Sequence, residues 1–574
     1  MRIDVEKILE FSDLFPEEHA LDIYTVLKQY NREHLVKCAH VLSNNFDKPQ
    51  IPDLANTFFS DISKKYIDNL NNRIIKLQKV TGKKTFVYST QRTVLELLRI
   101  VFDIAPSDYK NNGKKEDFEF DMFRVILQIN ENLMKLHSQK EENLAILTFS
   151  LYYIFNDFSN LNPGDMLLNQ INCYLSLSHF LCSDLRCERA KNIFYQKFGI
   201  LNMHQYARTW LALFTLAYSY QQKGFKKCPV LDLEELSDED GFITPSILDY
   251  LSIPIDATIP YLSNSYRDRA NNVDYRCFRA HPLIKIADKR YLIYSLPILL
   301  ERLYSGMFWD IKDGFNDPFN FYNKEFVEKV LFRTQIVKNL SRVRTSACYP
   351  TLEIISENSI KEEPNQPDFY IREKESIILF ECKAIRINGA LKDKSDIDEL
   401  LKILKTKLYN SDCNIDKSRK DKKSERVGVT QLVHQMKMID EDTFKWDKEI
   451  PDNVAYYPVI VLEDSRLVKP GITYIINSWY KPLVLEKLPD QMCNPIVVMS
   501  INTLMTYCEV FNMYGFHNVF DEFYNTNVMY SGINWQINKL ADFDSFMSIR
   551  YKQSQRKLNK RYMQAISSLK ESLN

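Results

Sequence analysis

A chain of 574 residues is too long for one hydrophobic core, which stops growing near roughly 250–300 residues, so two or three domains are expected. With 45% hydrophobic and 26% charged residues, the composition excludes a disordered or fibrous protein. The 75 basic and 75 acidic side chains cancel, so any nucleic-acid surface must come from local asymmetry rather than from overall charge.

The first stretch, MRIDVEKILEFSDLF, scatters charges where a secretory signal needs an apolar run, and a cytoplasmic location is expected. Residues 1–227 are expected to form an all-helical N-terminal domain. Met122, Ile126, Ile129, Leu133 and Leu136 step by four and three, which buries one helix face. Similar stretches recur at 20–45, 88–104, 142–158 and 190–222. The most apolar of them, Trp210 to Tyr220, is far shorter than the roughly 20 residues that cross a bilayer, and no membrane partner is expected. The eleven cysteines lack zinc-finger spacing and read as free thiols.

After Cys228 the helical period is lost in an acidic stretch with Gly241 and Pro245, and residues 228–274 read as a linker. Residues 276–296 alternate around Ala287 to Arg290 as a β-hairpin does, and a helix follows over Pro297 to Met307. A helix at 322–338 precedes a strand pair at 367–384, a charged insertion runs to about 426, and another helix starts near Gly428. Ala455 to Leu462 and Pro495 to Ser500 read as covered inner strands. The second half is therefore α/β.

Within QPDFYIREKESIILFECKA, Asp368 opens one strand, Arg372 to Ser376 form a turn, and the apolar run Ile377 to Phe380 ends in Glu381 and Lys383. Alternation along a strand puts Glu381 and Lys383 on one face and Cys382 on the other. Two carboxylates and an ammonium at one end of a hairpin suit phosphodiester hydrolysis. Magnesium takes oxygen ligands and keeps open positions for water and phosphate, and a cation beside it steadies developing charge. Pro-Asp also occurs at 52–53, 451–452 and 489–490, but only the pair at 367–368 is followed by an acid-x-lysine on a strand. A covered strand that ends in charges needs a partner or an ion for them.

These residues resemble the PD-(D/E)xK nuclease superfamily over roughly residues 275–515. The resemblance implies a restriction-endonuclease-like α/β nuclease domain with a mixed central sheet over 275–530; outside it lie the all-helical N-terminal domain and, over 531–574, a stretch read as a basic helical segment. It implies that Asp368, Glu381 and the Cys382 carbonyl hold Mg2+ (or Mn2+), and that Lys383 is the catalytic lysine. The first helix would add an acid, with Glu325 favoured marginally over Glu328, and Gln431 would stand on the helix after the lysine strand with Gln435 one turn later. The insertion between Lys383 and Gln431 is longer than the family's simple connection. Its basic run Asp416 to Arg426, and a second at Arg550 to Arg561, are candidate phosphate contacts.

The function implied is a metal-dependent DNA endonuclease, an effector of bacterial restriction or anti-phage defence. Its helical half would bind a partner protein, and double-strand cutting would favour a homo-oligomer. Two other readings stay open at this stage: a non-catalytic nucleic-acid-binding or scaffold protein on the same fold, and a gated RNase toxin. No GxxxxGK[ST] or GxGxxG phosphate cradle and no histidine pair offers competing chemistry.

Overall fold

The computed structural model describes residues 7–43, 64–83, 86–135, 163–222, 230–234, 243–258, 275–340, 344–351, 354–355, 366–386, 397–409, 427–552, 560, 563–564 and 567. Helices and sheets are mixed, and buried apolar side chains gather into two cores. The smaller holds residues from Leu9 to Leu133 together with Ile253, Phe278, Ile284 and Leu292. The larger runs from Met166 to Met547.

This division corrects the expected domain boundaries. Helices Pro163–Ser183, Glu188–Phe198 and Met203–Gln222, assigned from sequence to a domain ending at 227, put their buried side chains into the larger core. Nor is the amino-terminal part all-helical, because Lys7–Ile8 pairs in parallel with Phe86–Val87. Residues 228–274 are more than a linker. They contribute strands Val230–Asp232 and Ser252–Pro254, which flank the hairpin Leu283–Ala287 and Arg290–Ile293 in a four-stranded sheet. Period-two alternation divides that sheet between the cores: Leu283, Tyr291 and Ile293 face the larger, Ile284 and Leu292 the smaller.

A six-stranded mixed sheet organises the larger core. Ala347–Tyr349, Phe369–Glu373 and Ser376–Lys383 run antiparallel in turn. Ala455–Leu462 then lies parallel to Ser376–Lys383, and Met492–Cys493 and Val497–Ser500 both pair with its far side. Pro458 is tolerated inside a central strand because it falls in the gap between those two pairings, after Tyr456 and before Val459, where the far side asks for no N–H. A parallel pair needs a crossover, and here the crossover carries helices Ile397–Leu408 and Val429–Asp440. Gly428 (φ 51°) starts the second helix close against the end of the first: a Cβ there would stand 2.3 Å from the Leu408 carbonyl oxygen.

Beyond the sheet, Val528–Ser531 and Asn534–Ile537 form an antiparallel hairpin, and helix Phe543–Arg550 buries Phe543, Phe546 and Met547. The segment after 531 is thus folded onto the core at its start rather than being a basic helix throughout. The stretch 142–158 and the basic run Asp416 to Arg426 lie outside the described residues, and the run Arg550 to Arg561 is described only at 550–552 and 560. Among the described residues no helix is long and apolar enough to cross a membrane.

Candidate active site

Hairpin register brings the carboxylates together. Phe369 pairs with Phe380, so one step outward Asp368 comes opposite Glu381. The Asp368 carboxylate accepts the Cys382 backbone N–H at 2.7 Å, which extends the ladder by one side-chain rung. Lys383 places its ammonium 2.9 Å from Glu381 Oε2 and 3.8 Å from Asp368 Oδ2. The three residues expected to meet do converge at the carboxyl end of strand Ser376–Lys383.

Glu381 is fully buried, and its Oε1 accepts from the Gln435 amide at 2.9 Å. Its Oε2 meets the Lys383 ammonium without a well-directed hydrogen bond. Burial first, and then the Asp368 charge, push the Glu381 carboxyl well above the usual carboxylate range against the pull of Lys383 and Gln435. Burial works against the Lys383 charge too, but Glu381, Asp368 and Glu328 outweigh it and hold the ammonium well above its ordinary value. Cys382 points to the opposite face, where burial and the Glu328 charge raise its thiol far above the usual range.

Helix positions correct two expectations. Glu325 is not brought to the cluster: it pairs with Lys329 at 2.7 Å and with Arg186 at 3.3 Å on the outer side of its helix. Glu328 is the acid whose charge reaches Cys382 and Lys383. The reason is the helix itself, since Tyr322–Phe332 winds in wide π-type turns before the α-helix Arg333–Asn339, and residues three apart no longer share a face. Gln431, too, is set aside, reaching toward the Gln366 carbonyl at 3.4 Å while Gln435, one turn on, meets Glu381.

Two further side chains brace the cluster. Asn323 donates to the Ala384 carbonyl at 3.2 Å, and the buried Arg333 extends its Nε to within 3.4 Å of the Asp368 carbonyl. Both stand on the helix whose Phe332 packs against Phe380 of the lysine strand. No spacing in the sequence marks them apart from other polar positions of an amphipathic helix.

A hard divalent cation suits this donor set. Among the described residues no three His, Cys, Asp or Glu side chains converge as a full protein cage. Two carboxylates do, and magnesium is commonly held by one or two carboxylates with the remaining positions taken by water and substrate. The N–H and C=O of a strand residue face the same neighbour, so the Cys382 carbonyl is directed to the Asp368 side along with its N–H. Glu381 Oε2, its charge met only by a lysine, is the kind of buried oxygen that an ion would satisfy. Compared with models of protein families, with curated proteins and with solved structures, the chain finds no match.

Proposed function

We propose that the chain is a metal-dependent nuclease of the PD-(D/E)xK kind that hydrolyses phosphodiester bonds in DNA. The observation that carries this reading is the meeting of Asp368, Glu381 and Lys383 at one strand end, with Glu381 fully enclosed and held by Gln435. Enclosing one carboxylate, with a second and a lysine partly buried beside it, is costly for a fold, and a purely structural role is served as well by apolar side chains. The antiparallel hairpin, the helical crossover and the parallel strand that follow one another around the cluster also agree with a restriction-endonuclease-like layout.

Asp368, Glu381 and the Cys382 carbonyl would hold Mg2+ or Mn2+, which would offset phosphate charge and lower the pKa of a coordinated water. Lys383 is kept protonated by its carboxylate neighbours, so it can donate to a phosphate oxygen as charge builds there. Gln435 fixes the direction of Glu381, and Glu328 adds negative charge beside Lys383. DNA as substrate, a protein partner for the amino-terminal helices and an effector role in restriction or anti-phage defence follow from the family resemblance.

The test incubates the full chain with supercoiled plasmid, single-stranded DNA and RNA, each with magnesium, manganese or a chelator. Metal-dependent nicking of DNA by the wild type and its loss in Asp368→Asn are expected. Cutting by Asp368→Asn at the wild-type rate, or no cutting of DNA by the wild type with either metal, would overturn the reading.

A further inference from the structure

On the opposite face of the sheet from Lys383, at the same strand ends, lies a second polar site. Leu462 is in register with Lys383, so the next residue, Glu463, points to the other face. There a cavity of about 100 Å³ opens at the ends of Ala455–Leu462 and Val497–Ser500. Crevices at the carboxyl ends of parallel strands are where α/β sheets tend to bind ligands. The volume is many times the roughly 15 Å³ that admits one water.

The lining is built, not incidental. Arg386 is held between the Phe308 and Tyr322 rings, its guanidinium carbon 4.3 Å and 4.8 Å from their centroids, and donates to Glu463 at 2.7 Å. Tyr304 donates to the same Glu463 oxygen at 2.8 Å. Arg386 Nε is buried without a partner. Lys469 is buried as well, and Asp544, anchored by the Ser500 N–H at 3.1 Å, lines the same cavity. Trp309, which also lines the cavity, is 43% exposed.

An anion entering this cavity would face Glu463 and Asp544, and a cation would face Arg386 and Lys469. A neutral ligand rich in hydroxyl groups escapes both penalties, because each hydroxyl can donate to a carboxylate and accept from an ammonium or guanidinium. Arg386 and Glu463 are already fixed by their own pair, so little reorganisation of these two opposes binding. Trp309 adds an apolar face against which the ring of such a ligand can lie. We infer that this cavity is a binding site for a neutral polyhydroxylated ligand, a sugar or polyol, with Glu463, Asp544 and Arg386 reading its hydroxyls and Trp309 covering its ring.

This inference is independent of the nuclease reading. D-ribose and D-glucose are titrated into the full chain and followed by saturation-transfer NMR, with inorganic phosphate and free lysine as charged controls. At least one sugar should bind, and Trp309→Ala and the cavity-filling Ser548→Phe should each weaken it by about tenfold or more. Trp309→Ala, which removes a partly exposed ring, keeps the test valid should Ser548→Phe lower the melting temperature. Absence of binding by both sugars, tighter binding of phosphate or lysine, or equal binding by wild type and Trp309→Ala would overturn it.

Discussion

Gln435 donates its side-chain amide to Glu381 across 2.9 Å, and this one bond ties the helix Val429–Asp440 to the end of the lysine strand. Without it, a buried carboxyl already pushed upward by burial would keep only Lys383 as a partner.

Gln435→Ala should therefore lower metal-dependent cleavage by about 10- to 100-fold, the usual effect of losing a group that orients a metal ligand. Gln431→Ala, which loses only a 3.4 Å contact to a carbonyl, should stay close to wild type. Initial cleavage rates at saturating magnesium measure both, and the reverse order would return the role to Gln431.

The two helix acids separate in the same assay. Glu328→Gln removes a charge that acts on Lys383 and should reduce cleavage by about tenfold or more. Glu325→Gln breaks partly exposed pairs with Lys329 and Arg186, and should change neither rate nor stability by more than about 1 kcal/mol. A larger rate loss in Glu325→Gln than in Glu328→Gln would contradict the assignment.

Much of this arrangement was legible in the sequence, and the failures have physical causes. Apolar Ile377 to Phe380 between a Pro-Asp and an acid-x-lysine pointed to the hairpin, but the turn read over Arg372 to Ser376 is only Lys374 and Glu375, since Arg372, Glu373 and Ser376 pair within the strands and set the register. Glu325 was misread because side-chain spacing assumes 3.6 residues per turn, and π-type turns are not visible in composition. The helices from Pro163 to Gln222 were placed in the wrong domain for a different reason. An amphipathic face shows that a helix is buried, but not which core it covers. The strands at 230–232 and 252–254 were missed because three residues are too few to show alternation.

Strand Phe369–Glu373, which begins next to Asp368, is held by a buried ion pair. Arg372 donates to Asp447 at 2.6 Å and 3.2 Å, and Tyr370 adds a third bond at 2.7 Å. Removing one partner leaves the other charge buried, so Asp447→Ala should cost about 3–5 kcal/mol of unfolding free energy. Urea denaturation checks this, and a loss under about 1 kcal/mol would show the pair to be idle.

His40 links the amino-terminal helices to the four-stranded sheet through the Ile293 carbonyl, and burial lowers its pKa to about 4. Its folded pKa lies below that of an unfolded histidine, near 6.5. Between those values the unfolded chain binds more protons, so stability is full above about pH 6.5 and falls as the pH drops toward 4. The melting temperature should decline over that window, and His40→Asn should make the decline shallower. An unchanged slope in the variant would remove His40 as a source of acid sensitivity.

Lys383→Met tests the nuclease reading most directly, since it deletes the ammonium while leaving both carboxylates and the Cys382 carbonyl in place. With plasmid DNA and saturating magnesium, cleavage should fall by about 100-fold or more while Mn2+ binding, followed by electron paramagnetic resonance, persists. Cleavage by Lys383→Met at the wild-type rate would contradict the account.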